Sequence, residues 1–104
     1  MLKKINTIKA VEAKKIIDTQ ECIVLDVRTL EEYEDEHLDN ALLIPLLDLE
    51  TSAERIIPNK NAKILIYCRS GNRSLVAGDI LLEKGYKDVT DFGGIIDWPF
   101  EKII

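Results

Sequence analysis

One seven-residue segment of this sequence combines the residue types that nucleophilic catalysis on an anion requires. A cysteine, a glycine, two arginines and three small polar residues follow one another as Cys68-Arg69-Ser70-Gly71-Asn72-Arg73-Ser74. The apolar run Ile64–Tyr67 leads directly into the cysteine, which predicts that the segment begins where a buried strand ends. Open α/β sheets bind their ligands at the carboxyl ends of such strands. The segment is therefore the first candidate for a functional site.

The surroundings predicted for Cys68 favour its ionised form. A loop between a strand and a helix carries backbone N–H groups without intrahelical partners, and Gly71 allows it to turn tightly around an anion. The helix dipole and the guanidinium groups of Arg69 and Arg73 are expected to lower the pKa of the thiol. Three polar side chains can add hydrogen bonds to the loop or to an anion, namely Ser70, Asn72 and Ser74. The pattern predicts nucleophilic cysteine catalysis on an anionic or sulfur-rich substrate, with a phosphate or a sulfur oxyanion fitting the loop.

The second cysteine, Cys22, has no such surroundings. It opens an apolar strand candidate and has neither a glycine nor a basic residue close to it, so we interpret it as a small buried hydrophobe. The same structural role is the alternative for Cys68, but the Arg-x-Gly-x-Arg pattern behind that residue favours the functional interpretation. The chain has no Cys-x-x-C pair and no Cys/His cluster, which argues against a zinc site and against a disulfide in a reducing compartment.

Short apolar runs alternate with helical patterns along the chain, and this order predicts an α/β fold with a mostly parallel sheet. The predicted strands are Ile23–Val27, Ala41–Ile44, Ala62–Tyr67 and Asp88–Phe92. The predicted helices are residues 9–18, 31–36, 46–57 and 70–84, with a final turn over 95–100. In the segment 70–84 apolar residues alternate with polar ones, at Leu75, Val76, Ile80 and Leu82. We expect Asn6 or Thr7 to cap the first helix, Gly85 to end the fourth, and Gly93-Gly94 to form a turn or a close backbone approach.

Composition places the chain among ordinary globular proteins. Its 104 residues are 46% apolar and 32% charged, which is consistent with one domain. The net charge of −5 argues against nucleic-acid binding, and no apolar run approaches the roughly 20 residues that cross a bilayer. The segment Met1–Ala10 has two lysines but no apolar stretch, so we expect no signal peptide, no membrane partner and a cytoplasmic location.

At three places the chain resembles the single-domain rhodaneses, which are sulfurtransferases. The segment Cys68–Ser74 is similar to the family's active-site loop, Cys-Arg-x-Gly-x-Arg-Ser, and Phe92–Trp98 is similar to its Gly-Gly-(x)₃-Trp ending. The segment Leu25–Pro45 resembles the family's first signature, through Asp26-Val27-Arg28, Glu32-Tyr33, His37-Leu38 and Ala41–Pro45. The three matches occur in family order and span nearly the whole chain.

The resemblance implies one rhodanese-like domain over residues 1–104, with a three-layer fold in which helices flank a small sheet of about five strands. It implies that Cys68 takes a sulfane sulfur from a small donor such as thiosulfate and holds it as a persulfide. A thiophilic acceptor (cyanide, a thiol or a protein cysteine) then removes that sulfur. No metal or organic cofactor is implied. The substrate loop would comprise Arg69, Ser70, Gly71, Asn72, Arg73 and Ser74.

Outside the loop, most of the matching residues have a structural interpretation. Asp26 and Arg28 lie at the rim of the site or support it, and we favour a buried ion pair of Arg28 with Asp26, Glu31 or Glu32. His37, the lone histidine, is interpreted as structural, because no second residue is placed to orient it as a base. We expect the acidic run 31–36 to be a solvated face, and Trp98 and Phe100 to pack on the core.

The sequence also departs from the family pattern. Glu36 stands where glycine is frequent, and Asp39-Asn40 stand where Pro-Gly is frequent; Asn40 is expected to keep that turn because asparagine tolerates positive φ. Thiosulfate-specialised two-domain members carry a basic residue near the position of Glu32. The acidic residue here suggests a different donor or a persulfide-carrying role.

Three other functions remain as alternatives. A phosphatase of the Cdc25 type shares this fold, but its chemistry needs Cys-(x)₅-Arg, whereas Cys68 and Arg73 form Cys-(x)₄-Arg. A non-enzymatic rhodanese-like interaction module commonly loses the cysteine or the basic loop residues, and this chain keeps both. A dedicated persulfide carrier to one partner protein needs the same loop as an enzyme, so the sequence does not separate these two functions.

Overall fold

A computed structural model describes residues 5–104 of the chain. Met1–Lys4 lie outside the described residues, and they are part of the segment in which no signal peptide is expected. The strands are β1 (Asn6–Thr7), β2 (Ile23–Asp26), β3 (Leu42–Leu43), β4 (Lys63–Cys68) and β5 (Asp88–Gly94). The helices are α1 (Ala10–Thr19), α2 (Leu30–Asp35), α3 (Leu46–Ile56) and α4 (Asn72–Glu83), and a 3₁₀ turn follows at Ile95–Asp97. None of the helices found within residues 5–104 combines the length and the apolar character that crossing a bilayer demands.

The five strands form one parallel sheet in the order β1-β5-β4-β2-β3. The predicted α/β class and the sheet of about five strands are confirmed, and all the pairings are parallel. Central strand β4 pairs with β2 and β5 and is buried from Ile64 to Cys68, as expected for a strand covered on both faces. The parallel arrangement brings the carboxyl ends of all strands to one edge, where Cys68 ends the middle strand.

Alternate residues of β4 belong to two separate cores, because successive side chains of a strand point to opposite faces. Ile64, Ile66 and Cys68 pack with residues of α3 and α4, such as Leu49 and Leu81. On the other face, the core contains Ala13, Val24, Leu65, Tyr67, Phe92 and Trp98. The molecule is therefore a three-layer arrangement of helices, sheet and helices.

The first strand was not predicted. Asn6 and Thr7 were expected to cap the first helix, but they pair with Thr90 and Asp91 of β5 instead. The cap of α1 is Lys9, whose backbone N–H is bound by the Glu12 carboxylate. A two-residue edge strand is defined by its backbone hydrogen bonds to the neighbouring strand. It is too short to show an apolar pattern that could be detected in the sequence.

Helix α4 begins later and buries a different face than the sequence suggested. It starts at Asn72 instead of residue 70, since Ser70 and Gly71 belong to the loop around Cys68. Leu75 and Val76 are exposed. The buried positions carry mostly small side chains and are Ser74, Ala77, Gly78 and Leu81. Small side chains on this face bring the helix axis close to the sheet, and they bring the hydroxyl of Ser74 close to Cys68.

The predicted turns are partly confirmed. Gly85 (φ +95°) ends α4, and Asn40 (φ +61°) keeps the positive-φ turn before β3. Gly93 (φ +91°) and Gly94 lie at the end of β5, and the final turn is shorter than residues 95–100. Trp98 is buried in the core and stacks edge-on with half-buried Phe100, as expected. The types of the predicted elements are correct, and apart from the missed strand β1 and the buried face of α4 the differences lie at the ends of elements.

Candidate active site

The sulfur of Cys68 is enclosed by the loop that follows β4. Cys68 is only 1% exposed and lies at the start of a turn in which Gly71 adopts a φ of +104°. This turn directs the backbone N–H of Gly71 at the sulfur, with an N–Sγ distance of 3.0 Å. The hydroxyl of Ser74, on the buried face of α4, lies 3.5 Å from the sulfur. The loop thus forms a cradle of hydrogen-bond donors around a single thiol.

Hydrogen bonding makes Cys68 the more acidic of the two thiols. Burial opposes ionisation of the sulfur, but hydrogen bonds from the Ser74 hydroxyl and from the amides of Ser74, Gly71 and Ser70 lower the pKa of the thiol below its ordinary value. At Cys22 burial raises the pKa of the thiol, and nearby Lys63 only partly offsets it. Cys22 is half-buried at the opposite edge of the sheet, just before β2. The two cysteines differ in environment, but Cys22 is half-buried with Lys63 nearby and is not the buried hydrophobe without basic neighbours that the sequence predicted.

The loop arginines act differently from the sequence expectation. Arg73 forms two parallel hydrogen bonds with Glu32, of 2.7 Å and 2.9 Å, and this interaction raises the pKa of Arg73. Arg69 is exposed, and its carbonyl accepts a hydrogen bond from the backbone N–H of Ile96. The hydrogen bonds of the cradle, not the two guanidinium charges, are the chief groups that lower the pKa of Cys68.

Glu32 is a site residue that the sequence analysis placed on a solvated face, and that assignment was wrong. Its carboxylate accepts hydrogen bonds from Arg73 and also from the backbone N–H of Thr29, closing the capping box of α2. The hydrogen bond from Arg73 is the largest influence and holds the pKa of Glu32 at about 2. Glu31 and Glu34 of the same run are exposed, as expected. The sequence did contain a signal for Glu32, because it lies at the start of a helix that follows a strand. Such helix starts face the ligand-binding edge of the sheet.

The last residue of β5 supports the cradle from the opposite side. Gly94 pairs with Cys68 at the sheet edge. A Cβ atom on Gly94 would lie 2.2 Å from the carbonyl oxygen of Arg69 and 2.6 Å from the Cα of Ser70. The expected close backbone approach is therefore real, and only glycine fits between the strand and the loop.

Asp26 and Arg28 form the buried ion pair that the sequence analysis favoured. The Arg28 guanidinium donates to the Asp26 carboxylate at 2.7 Å (Nη2–Oδ2) and 3.0 Å (Nε–Oδ1), and Tyr67 donates its hydroxyl to the same carboxylate at 2.6 Å. Burial, with Asp26 adding to it, raises the pKa of Tyr67. A further bond from Arg28 to the carbonyl of Glu36 attaches the end of β2 to the following loop. These bonds support the scaffold and do not reach the sulfur.

The remaining predicted residues have simpler positions. Ser70 is exposed apart from the amide that faces the sulfur, and Asn72 is exposed at the first position of α4. The ring of His37 stacks on Tyr33 at 3.9 Å, and its Nδ1 lies 2.8 Å from the carbonyl oxygen of Tyr33. These contacts agree with a structural His37.

A buried carboxylate that the sequence analysis did not select completes the site. Asp91 of β5 is 3% exposed and accepts hydrogen bonds from the Ser74 hydroxyl and from the backbone N–H of Gly93. An acidic residue inside a short apolar strand was the signal for it, because a carboxylate at such a position needs a specific partner.

Comparison with known proteins agrees with this geometry. The family model of the rhodanese-like domain matches residues 9–99. The chain is 37% identical over 79 residues to thiosulfate sulfurtransferase PspE of Escherichia coli K12, covering 76% of each protein. It is 38% identical over 87 residues to the putative sulfur carrier protein YrkF of Bacillus subtilis, covering 82% of this chain and 46% of that protein. A solved structure described as a rhodanese with anions from E. coli superimposes with a TM-score of 0.74 at 35% identity, covering 80% of this chain and 98% of that one. This chain has the rhodanese fold and belongs to the rhodanese-like family.

Proposed function

We propose that this protein is a rhodanese-type sulfurtransferase that carries sulfane sulfur as a persulfide on Cys68. The observation that supports this proposal is the cradle of amide and hydroxyl donors around one buried sulfur of lowered pKa. Such donors stabilise a thiolate, which is the nucleophilic form of cysteine, and they fit the negative charge of a persulfide equally well. The relative PspE, a thiosulfate sulfurtransferase by name, gives independent support for this class of enzyme.

The reaction has two displacement steps. The Cys68 thiolate attacks the sulfane sulfur of the donor, a new S–S bond forms, and the donor's S–S bond breaks, so that thiosulfate would leave as sulfite with the bonding electrons. An acceptor thiolate, or cyanide in an assay, then attacks the outer sulfur of the persulfide and releases the Cys68 thiolate. The covalent intermediate predicts ping-pong kinetics.

The contact between Arg73 and Glu32 bears on which donor is used. Thiosulfate carries two negative charges, and the carboxylate of Glu32 already occupies the guanidinium of Arg73. A dianion would have to displace Glu32 or bind beside a like charge. Inorganic polysulfide is a dianion as well, so the comparison needs a donor with less charge. We therefore expect an uncharged-chain alkyl persulfide to react faster than thiosulfate.

The same contact argues against a phosphatase. Four residues separate Cys68 from Arg73, one fewer than a phosphate loop needs, and the guanidinium is bound to a carboxylate. A phosphoryl group needs that guanidinium for its equatorial oxygens. We expect no turnover of p-nitrophenyl phosphate above the level of a Cys68→Ser variant.

Exposed apolar side chains favour a protein thiol as the acceptor. Each strand is followed by an element that carries one of them within its first four residues, namely Val11, Leu30, Leu47, Leu75 and Ile96. Because the strands are parallel, these positions lie around the edge that holds Cys68. Leu47 is 94% exposed, which costs free energy unless a partner covers it. Apolar side chains around a reactive centre are typical of protein interfaces, whereas a small donor does not need them.

A purely non-enzymatic interaction module is not favoured, since the cradle around Cys68 is intact.

The first experiment measures intact mass after incubation with thiosulfate or polysulfide. We expect a gain of one sulfur atom, retained in Cys22→Ser and lost in Cys68→Ser. No gain with either donor, on folded protein with a free Cys68 thiol, would refute the proposed function.

A second experiment tests the acceptor. The persulfide form is mixed with two single-cysteine peptides, one with leucines beside the cysteine and one with serines. We expect faster transfer to the leucine peptide, and we expect Leu47→Ser to remove the difference. Equal rates with both peptides would contradict the hypothesis that the acceptor is a protein thiol. Small thiols would then remain as the expected acceptors.

A further inference from the structure

The hydroxyl of Ser74 is surrounded by three groups that compete for its single proton. Its oxygen lies 3.5 Å from the Cys68 sulfur and 3.1 Å from the carbonyl oxygen of Gly71, and its shortest contact is with Oδ1 of Asp91. A serine hydroxyl donates one hydrogen bond at a time but can accept two. Its orientation therefore depends on which of its neighbours carries a negative charge.

With a neutral thiol, the sulfur, the hydroxyl and the carboxylate form one chain of hydrogen bonds. Cys68 donates its S–H to the Ser74 oxygen, and Ser74 donates its O–H to Asp91. When the sulfur ionises, it needs a donor in place of an acceptor, so Ser74 must turn its proton toward the sulfur. An ionised Asp91 would then lose a donor, and two negative charges would face one hydroxyl.

Burial makes that second arrangement costly. Cys68 is 1% exposed, Ser74 is fully buried, and Asp91 is 3% exposed, so solvent does not screen the three groups effectively. Among residues 5–104, the salt bridges found do not include Asp91. A buried carboxylate without a cationic partner is unfavourable, and the cost falls if the carboxylate becomes neutral when the sulfur becomes charged.

We propose that Cys68, Ser74 and Asp91 form a proton relay in which Asp91 receives the proton released by the thiol. The S–H bond of Cys68 breaks as that proton binds the Ser74 oxygen, and the original Ser74 proton moves to Oδ1 of Asp91. No electrons are gained or lost, and one negative charge moves from the carboxylate to the sulfur. Ser74 then donates to the thiolate and accepts from Asp91, so both hydrogen bonds of this chain are kept with their directions reversed. The proposal rests on Cys68 being the nucleophile of the proposed function, but not on any particular sulfur donor.

The backbone amide of Gly93 fixes the geometry of this relay. It donates to Oδ1 of Asp91, the same oxygen that contacts Ser74, at 3.0 Å. Other charged groups lie on the elements around this edge. Lys9 at the start of α1 and Asp97 in the 3₁₀ turn are exposed, and Arg73 of α4 is bound to Glu32. Asp91 is thus the buried carboxylate in direct hydrogen-bond contact with Ser74.

The test compares Asp91→Asn with the parent protein, both in a Cys22→Ser background so that one thiol is observed. Asparagine is nearly isosteric, and the Gly93 amide directs its oxygen, not its NH₂ group, toward Ser74. The variant can accept the Ser74 proton in a hydrogen bond but cannot bind it. Thiolate absorbance at 240 nm is recorded against pH for both proteins. The titration needs no sulfur donor. A failure of this test is therefore distinguishable from a failure of sulfur transfer.

The two possible roles of Asp91 predict opposite signs. If Asp91 is protonated when the thiolate forms, its O–H donates to Ser74, and the oxygen of the Asp91→Asn side chain cannot replace that donor. Asp91→Asn then lowers the thiolate fraction at pH 7 by about 10-fold and moves the titration to higher pH. If Asp91 is only a nearby negative charge, its removal raises the thiolate fraction. An increase, or no change, would overturn the relay. In a Ser74→Ala background Asp91→Asn should no longer lower the thiolate fraction, and an equal decrease there would overturn the route through Ser74.

A measurement on proteins with an intact Asp91 avoids dependence on the folding of Asp91→Asn. Infrared spectra at neutral pH should show the band of a protonated carboxylic acid in the Cys22→Ser protein. The band should disappear in Cys22→Ser/Cys68→Ser, where no thiolate can form and Asp91 keeps its charge. Absence of the band from the Cys22→Ser protein, or its persistence without Cys68, would refute the transfer of the proton to Asp91.

Discussion

The contact between Glu32 and Arg73 gives the most specific prediction, because it affects both stability and donor choice. Glu32→Gln keeps the shape of the side chain and leaves one oxygen for the Thr29 amide, so the capping box of α2 survives. The variant loses the negative charge, and its NH₂ group faces one N–H of the Arg73 guanidinium. The substitution therefore removes the ion pair with little other change.

The size of the effect follows from the lowered pKa and the exposure of the pair. A pKa held at about 2 instead of 4.5 corresponds to ~3 kcal/mol of preference for the carboxylate in the folded protein. The Glu32 and Arg73 side chains are 27% and 33% exposed, and solvent screening at such a site reduces the stabilisation to ~1–2 kcal/mol. We expect Glu32→Gln to lower the unfolding free energy by that amount at pH 7.

The pH dependence has a definite sign. The pKa of Glu32 is lowered on folding, so its contribution to stability is complete above about pH 4.5 and disappears as the pH falls toward 2. Urea unfolding of the two proteins at pH 7, 5, 4 and 3 should show a difference that shrinks below pH 4.5. The control is Glu31→Gln, which removes an exposed charge from the same turn of α2. A difference that stays constant with pH, or that Glu31→Gln reproduces, would refute the ion-pair argument.

The same variant tests the expected donor preference. If Glu32 excludes dianions from Arg73, Glu32→Gln should increase the rate of persulfide formation from thiosulfate several-fold and leave the rate with an uncharged-chain alkyl persulfide nearly unchanged. Equal changes with both donors would mean that Glu32 orders the loop and does not select the donor.

Three further experiments examine the scaffold and the thiols. Gly94→Ala pushes a methyl group into the loop carbonyl at 2.2 Å, and we expect sulfur transfer to slow by at least ~10-fold in a stopped-flow assay of sulfite release. Tyr67→Phe removes the hydroxyl that donates to buried Asp26, and we expect a loss of ~2–3 kcal/mol in urea unfolding. In thiolate titrations at 240 nm, Cys68 (observed in Cys22→Ser) should ionise at lower pH than Cys22 (observed in Cys68→Ser), because their pKa values shift in opposite directions.

Each of these predictions has a result that would contradict it. A Gly94→Ala protein with unchanged rates would show that the loop moves aside without cost. Tyr33→Phe serves as the control for Tyr67→Phe, since its hydroxyl makes one bond in a half-buried position, and an equal loss in both variants would contradict the buried network. Coincident titration of the two thiols would mean that the cradle does not stabilise the thiolate.

The sequence by itself determined the local features of this protein. The apolar runs specified strands β2 to β5, since a central parallel strand buried on both faces must be apolar throughout. The segment Cys68–Ser74 specified a turn after β4, because a glycine was available for its positive φ and small residues for its tight path. The proposed nucleophile and its donor-rich loop were therefore readable without a structure.

Only the tertiary structure decided which distant groups meet around the loop that holds Cys68. Glu32 and Arg73 are 41 positions apart, and Ser74 and Asp91 are 17 apart, so no local pattern joins them. Their proximity follows from the strand order, which places β5 beside β4 and the start of α2 at the same edge. Edge strand β1 was missed for a related reason, since it is defined by backbone pairing with a segment more than 80 residues away. Periodicity and spacing report what a segment buries, whereas the partner of a charge or a hydroxyl depends on how the whole chain packs.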